Sequence, residues 1–290
     1  MDGVLHQVFS GIASGGIYAS VALALVMIFT STHHVNFAQG EMGMFSTYIA
    51  LTLIQAGVPY WVAFVITVAI AMVVGIIIQK VLMEPLMNAP VLASVGVFIG
   101  LLFIFNSTAG WIFSYTLKPF PSPFGEGGPV FGGYFSRHEL GSTVITLAVL
   151  LSIWAFFRFT RLGLAMRAAA YNPTSSRLVG VSVDNMLALG WGLASGIGAI
   201  AGMMVAPLVF LDPNMMAGVL LYAFAGALLG GITNPLGAVV GGFLVGIIEN
   251  LGGAYVVGTE LKLTMALVII VAVLTLRPAG LFGKVLASRV

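Results

Sequence analysis

Residues 42–79 read MGMFSTYIALTLIQAGVPYWVAFVITVAIAMVVGIIIQ and contain no charged side chain. A helix of about 20 apolar residues crosses a bilayer, so this stretch is long enough for two crossings. Uncharged runs at 3–40, 85–117, 185–211 and 213–248 also exceed that length. The sequence therefore predicts an all-α, polytopic membrane protein, with residues 1–290 forming a single transmembrane domain.

The composition supports this class and excludes several others. Hydrophobic residues make up 60% of the chain and charged residues 7%, against about 25% charged in an ordinary soluble domain. The net charge is only +2, which gives no indication of a nucleic-acid partner. The chain contains no cysteine, which excludes disulfides, thiol catalysis and thiolate metal sites. The N-terminus lacks the basic region of a cleavable signal peptide.

We predict eight to nine membrane-spanning helices. The apolar spans lie at 8–29, 38–56, 60–79, 91–113, 141–158, 185–207, 218–231, 237–253 and 262–277. Asn234-Pro235, between the seventh and eighth spans, could instead mark a re-entrant turn.

The basic residues predict the orientation of these spans. With nine crossings, one side receives Lys80, Arg158, Arg161, Arg167, Arg177, Arg277, Lys284 and Arg289, and the other receives Lys118, Arg137 and Lys262. Lys and Arg concentrate on the cytoplasmic side of membrane proteins. We therefore expect the N-terminus outside and the C-terminus in the cytoplasm.

Two polar segments interrupt the apolar spans. Residues 164–181 are basic and Ala-rich, and we expect them to present a helix to a partner in the cytoplasm. Residues 114–140 contain four prolines and five glycines, which argues against a long helix and predicts an outer loop. This loop could dock a soluble partner or could simply connect two spans.

A short motif occurs twice. Gly11-Ile12-Ala13-Ser14-Gly15 lies in the first span, and Gly192-Leu193-Ala194-Ser195-Gly196 lies in the sixth, which runs in the opposite direction. This predicts an inverted repeat with a pathway near the repeat interface. The alternative is independent close packing, because glycines four residues apart let helices approach in lipid. Gly226 and Gly230 have the same spacing.

Polar residues within apolar spans are candidates for a pathway or gate. Asn36, Gln39 and Glu41 lie at the expected cytoplasmic mouth of the second span. They could line a gate, although Asn36 is better explained as a helix N-cap and Glu41 also suits the positive end of the helix dipole. The neighbouring His33-His34 pair is more typical of a membrane interface than of a metal site.

Glu249 and Asn250 interrupt the eighth span near its outer end, where water could reach them. An ionisable residue there is costly and suggests function. Either it lines the pathway, or it satisfies a neighbouring helix. Asn106, in the fourth span, could be a pathway residue or an interhelical hydrogen-bonding group.

The sequence lacks the common motifs for nucleotide binding and for hydrolysis. There is no G-x-x-x-x-G-K-[ST] phosphate loop, no H-E-x-x-H and no G-x-S-x-G. An integral membrane enzyme is therefore disfavoured. If the chain performs driven transport, its energy must come from an ion gradient or from an ATPase on a separate polypeptide.

Several motifs together resemble the permeases of branched-chain amino acid ABC importers, most closely the H-type subunit. They are Asn36-Phe37-Ala38-Gln39-Gly40-Glu41-Met42, Lys80 through Glu84-Pro85-Leu86, Met166-Arg167-Ala168 to Asn172-Pro173, Leu228-Leu229-Gly230-Gly231 to Pro235-Leu236-Gly237-Ala238, and Arg277-Pro278-Ala279-Gly280-Leu281-Phe282-Gly283. The resemblance covers essentially the whole chain. The family also includes permeases for urea and short-chain amides.

The resemblance implies a location in the bacterial inner membrane and a set of partners. These are a second, M-type permease, two cytoplasmic ATPase subunits that hold ATP and Mg²⁺, and a periplasmic substrate-binding protein. The chain itself would contact membrane lipid and hold no cofactor and no metal. Residues 165–180 would form the ATPase-coupling helix, broken at Asn172-Pro173. The residues expected to serve coupling are Arg167, Ala168, Asn172, Pro173 and Arg177.

One departure from the family pattern concerns the seventh span. Where members commonly carry a lysine near its start, this chain has Leu220-Leu221-Tyr222. The leading hypothesis is ATP-driven import of branched-chain amino acids by alternating access. The alternatives are a urea or amide permease and a stand-alone secondary transporter or channel.

Overall fold

The computed structural model describes residues 2–32, 34–86, 89–125 and 135–283. Within these ranges the chain forms eleven α-helices and no strand, and Lys118 and Leu211 form an isolated bridge. The helices are α1 Asp2–Thr32, α2 Gln39–Gln55, α3 Tyr60–Ile78, α4 Val91–Phe113, α5 Arg137–Phe159, α6 Arg161–Tyr171, α7 Pro173–Leu178, α8 Val183–Val209, α9 Met215–Gly230, α10 Pro235–Tyr255 and α11 Lys262–Leu276. The all-α prediction is confirmed.

Each of the nine predicted spans contains a helix, but only seven are long and apolar enough to cross a membrane. These seven correspond to α1, α3, α4, α5, α8, α10 and α11. The α2 helix has 17 residues and α9 has 16, fewer than the ~20 that a full crossing needs. The chain is a polytopic membrane protein, and nine full crossings are not confirmed.

The helices α1 and α8 form the centre of the bundle. Their most apolar windows are 83% and 72% buried, whereas those of α4, α5 and α11 are 17%, 22% and 11% buried. These three outer helices carry many large exposed apolar side chains, including Trp111 and Leu151. Because lipid is apolar, an outward apolar face is the expected surface of a membrane protein.

Glycines set the closest helix contacts. A Cβ added at Gly246 would lie 2.3 Å from Cα of Gly15, and one added at Gly11 would lie 2.8 Å from Cα of Ile247, so α1 and α10 touch through their backbones. Similarly, Gly192 and Gly196 face α3, and Gly226 and Gly230 face α10. Each of these glycines leaves no room for a larger residue without movement of its neighbour.

The packing order has the form that an inverted repeat requires. The helix α1 packs against α9 and α10, and α8 packs against α2 and α3. The two motif copies therefore lie in helices with corresponding neighbours. A two-fold relation between the halves stays a prediction, because it needs a superposition of the two sets of helices.

The helices α2 and α9 both begin in the interior of the bundle. At the start of α2, the side chain of Gln39 donates a hydrogen bond to the carbonyl oxygen of Ala194 in α8. One turn later, a Cβ added at Gly43 would lie 2.6 Å from the carbonyl oxygen of Gly198. Ala194 is 11 residues into α8, about 16 Å along its axis at 1.5 Å per residue. The first turn of α9 lies at the same depth, since Met216 packs against Gly40.

The polar segments differ in part from their predictions. Residues 137–140, predicted as loop, form the first turn of α5, because Ser136 and Glu139 make a reciprocal capping box at its start. Residues 126–134 lie outside the described residues. The basic segment forms two helices, α6 and α7, separated at Asn172.

Candidate functional site

The segment before α2 is held by amide side chains inside the bundle. The Nδ2 of Asn36 donates to Oε1 of Gln39 at 3.4 Å, and the Nε2 of Gln39 donates to the carbonyl oxygen of Ala194 at 2.9 Å. Neither side chain is measurably exposed. The bond from Gln39 therefore fixes the start of α2 to the middle of α8.

This arrangement corrects two expectations about Asn36 and Gln39. They do not lie at a mouth of the bundle but deep within it, because α2 starts part-way along α8. Asn36 is also not the N-cap: that position is occupied by Ala38, whose backbone N–H donates to Oδ1 of Asn36 at 3.0 Å. Asn36 thus stabilises the turn that precedes the helix.

A second polar cluster joins α2, α4 and the start of α9. The Nδ2 of Asn106 lies 2.8 Å from the carbonyl oxygen of Pro213, 3.1 Å from Oδ1 of Asn214 and 3.4 Å from Oε2 of Glu41. The hydroxyl of Tyr115 donates to Oδ1 of Asn106 at 3.3 Å. Asn106 therefore connects three elements, as expected of an interhelical hydrogen-bonding group.

The cluster extends from the interior to the protein surface. Glu41 is only 5% exposed, Asn106 is partly buried, and Asn214 is exposed. The N-terminal ends of α2 and α9 meet beside it, and neither is capped by the side chain of its N-cap residue. Such ends attract negative groups, whereas the Glu41 carboxylate attracts positive ones. The cluster therefore brings a carboxylate and the N-terminal ends of two helices together.

The pair at Glu249 and Asn250 is enclosed by neighbouring helices. The Oε1 of Glu249 lies 2.9 Å from Nζ of Lys262 in α11, and its Oε2 accepts from the Tyr18 hydroxyl of α1 at 3.2 Å. Asn250 donates to the carbonyl oxygen of Gly246 at 3.1 Å and to Oε2 of Glu249 at 3.3 Å. The expectation of ready water access is wrong, because the Glu249 side chain is 8% exposed.

The helices α6 and α7 are positioned by side-chain caps. The hydroxyl of Thr160 accepts from the backbone N–H of Gly163 at 2.9 Å, and Oδ1 of Asn172 accepts from that of Ser175 at 2.9 Å. Pro173 occupies the first turn of α7, where its missing N–H costs nothing. The expected break at Asn172-Pro173 is where the structure divides the segment.

One face of α6 packs on the bundle and the other is open. Met166 and Ala169 are buried, whereas Ala168 is exposed. Arg167 lines a groove between α6 and the long helices. Arg177 forms an ion pair with Asp184 at 2.9 Å. Arg167 therefore lies beside the long helices, and the charge of Arg177 is balanced by a carboxylate of the same chain.

Sequence reasoning missed several residues of these clusters. Lys262 appeared only as a charge at a span end, and Tyr18 lay unnoticed in an apolar run. Asp212-Pro213-Asn214 is a polar break between two apolar spans, like 33–36, and that likeness could have singled it out. His138, at the start of α5, is buried between Ser122 and the carbonyl oxygen of Met204, at 2.9 and 2.8 Å.

Metal binding has little basis in the described part of the chain. His33 lies outside the described residues, and the His34 ring contacts the carbonyl oxygen of Thr32. Within the described ranges, no group of three His, Cys, Asp or Glu residues is arranged to hold a metal ion.

Comparison with known proteins identifies similar chains over almost the whole length. The high-affinity branched-chain amino acid transport system permease protein LivH of Escherichia coli (strain K12) is 28% identical, with 97% of this chain and 96% of LivH covered. The corresponding protein BraD of Pseudomonas aeruginosa is 29% identical over the same shares. The ribose import permease protein RbsC of Escherichia coli (strain K12) is 24% identical over 93% of this chain and 85% of RbsC.

No solved structure matches the chain significantly. The family model described as branched-chain amino acid transport system / permease component matches residues 7–274. That range includes all three polar clusters and both α6 and α7. By this match, the chain belongs to the family of branched-chain amino acid transport system permease components.

Proposed function

We propose that this chain is the membrane-spanning subunit of an ATP-driven importer of branched-chain amino acids. The observation that carries the proposal is the near-complete alignment with permeases named for that transport, at 28–29% identity. Such an importer would lie in the bacterial inner membrane, with the α6 end of this chain in the cytoplasm, the N-terminus outside and the C-terminus inside. The bias of the basic residues supports this orientation.

The energy would come from partner subunits. Two cytoplasmic ATPases would hold ATP and Mg²⁺, a second M-type permease would complete the membrane unit, and a periplasmic binding protein would deliver the substrate. This chain itself would not act as an enzyme. Its sequence has no phosphate-binding loop, which is consistent with an ATPase on separate chains.

The outward face of α6 and α7 is proposed as the contact with one ATPase. Tyr171, Leu178 and Val179 there are 93%, 84% and 79% exposed. Exposed aromatic and aliphatic side chains on a polar segment are typical of a docking surface. Asn172 and Pro173 would set the angle between α6 and α7, and Arg177 would orient the segment through Asp184.

The cluster of Glu41, Asn106 and Asn214 is proposed as part of the translocation pathway. Its carboxylate would meet the substrate ammonium group, while the N-terminal ends of α2 and α9 would face the substrate carboxylate. Asn36 and Gln39 would not contact the substrate but would hold the start of α2, and thereby Glu41, in position. Glu249 and Asn250 would serve packing rather than transport, because their polar groups are satisfied by Lys262 and Tyr18.

Other substrates form the second candidate. One similar protein is named as a ribose import permease, so similar chains are named for chemically different substrates. Urea and short-chain amides lack the paired charges of an amino acid, so the carboxylate of Glu41 would have no ammonium partner. Competition of leucine uptake by excess urea, acetamide or ribose would separate these substrates.

The test is affinity purification of the chain in mild detergent from its native membrane, followed by mass spectrometry of the bound proteins. Recovery of two ATPases and a second permease is the expected result. Recovery of the chain alone, active after reconstitution without ATP, would replace the proposal with a secondary transporter or channel. Uptake by Glu41→Gln, compared with the double variant Glu249→Gln/Lys262→Met, which leaves neither charge of the buried pair without its partner, then tests the pathway: only the first should lose leucine transport.

A further inference from the structure

A groove of about 630 Å³ opens between α5 and α10 at the α6 end of the bundle. Both helices pack on α1, whose Leu23 and Met27 form the floor of the groove. The walls include Trp154 of α5 and Leu236 of α10, which are 45% and 60% exposed. The groove is therefore apolar and accessible from the lateral, membrane-facing surface.

The charged residues that line the groove are all of one sign. They are Arg158, in the last turn of α5, and Arg167 of α6, and both are exposed. Within the described ranges neither guanidinium forms an ion pair or a hydrogen bond, and no carboxylate lines the groove. Two unpaired cations thus border an apolar slot.

This combination matches one class of ligand, an amphiphile with a negatively charged head. Basic pockets between transmembrane helices bind the head groups of anionic lipids. A guanidinium can give two parallel hydrogen bonds to a phosphate, which favours arginine for this contact. We propose that the groove binds an anionic phospholipid, with an acyl chain between α5 and α10 and the phosphodiester on Arg158 and Arg167.

Binding at this site would connect elements that are otherwise joined by a short turn. Arg158 belongs to α5 and Arg167 to α6, and only Thr160 separates the two helices. A phosphate held by both arginines would restrain the angle between α5 and α6. The bound lipid would thereby limit the movement of α6 relative to α5.

The experiment uses quenching of Trp154 fluorescence by brominated lipids, on the purified full-length chain in detergent. Phosphatidylglycerol and phosphatidylcholine with the same brominated acyl chains are compared, and Trp154→Phe supplies the background from the other three tryptophans. We expect phosphatidylglycerol to quench Trp154 at a concentration on the order of tenfold lower, since each basic residue favours an anionic head group.

Matched variants identify the groups that hold the head. In Arg158→Gln/Arg167→Gln the preference for phosphatidylglycerol should disappear, while quenching by phosphatidylcholine persists and shows that the groove is intact. Arg158→Lys/Arg167→Lys should retain most of the preference. Arg137→Gln/Arg161→Gln removes the same charge at exposed positions that do not line the groove, and should behave as the unmodified protein.

Three results would overturn the proposal. Equal quenching of the unmodified chain by both lipids would mean ordinary lipid contact without head-group recognition. A preference that survives in Arg158→Gln/Arg167→Gln would place the anionic site elsewhere. Absence of quenching by either lipid would show that the groove is closed to lipid.

Discussion

The Nζ of Lys262 lies 2.9 Å from Oε1 of Glu249, so the charge of the only carboxylate in α10 is balanced by the first residue of α11. The Glu249 side chain is 8% exposed and that of Lys262 26%. The pair joins two helices at the end of the bundle opposite α6.

Removal of one member of this pair should destabilise the protein. Lys262→Met leaves the Glu249 carboxylate buried without its partner, and we expect a loss of about 3 kcal/mol, typical of a broken buried pair. Thermal unfolding in detergent measures the loss. The double variant Glu249→Gln/Lys262→Met should recover most of it, and a double variant as unstable as the single one would contradict a charge effect.

The close backbone contact between α1 and α10 predicts that a larger residue there destabilises the protein. Gly246→Ala places a Cβ 2.3 Å from Cα of Gly15, and overpacking of this kind costs about 1–3 kcal/mol. Thermal unfolding again measures the change. Gly96→Ala in α4 is the control, because no atom lies within 4 Å of its added Cβ. It should be neutral or slightly stabilising, since alanine favours helix more than glycine.

The cap at Asn172 predicts a local effect. Its Oδ1 accepts from the backbone N–H of Ser175 at 2.9 Å, and replacement of an N-cap by alanine costs about 1 kcal/mol. Asn172→Ala should therefore increase hydrogen exchange in residues 174–178, whereas Asn172→Asp keeps the acceptor and should not. Under the proposed function, Asn172→Ala should also reduce uptake. Unchanged exchange would show that α7 does not depend on this cap.

Asn106 should be required for transport if the polar cluster forms part of the pathway. Asn106→Leu removes the bonds to Pro213 and Glu41 and leaves polar groups unpaired, at a cost of about 1–3 kcal/mol. We expect leucine uptake to fall about tenfold or more. Ser107→Ala changes the next residue, which is exposed, and should transport normally. Normal uptake by Asn106→Leu would remove the cluster from the pathway.

The sequence predicted the helical spans well, because long apolar runs have few alternatives in a membrane. It also singled out Gly11 and Gly15, which lie where the backbones of α1 and α10 touch. It did not predict the depth of Gln39, because a run of apolar residues does not indicate where in the bundle a helix begins. The partner of Glu249 was missed because Lys262 reaches it across a turn between two helices.

The interior start of α2 has a consequence for biogenesis. A segment enters the bilayer from the translocation channel when its own residues make that transfer favourable, and a buried Glu and Gln oppose the transfer. The α2 segment carries Gln39 and Glu41 in its first turn and has only 17 residues. Its insertion must therefore depend on α1 and α3, which precede and follow it. The surface of α8 that accepts the hydrogen bond from Gln39 is synthesised 155 residues later. The helix α2 therefore forms its final hydrogen bonds only after most of the chain has been made.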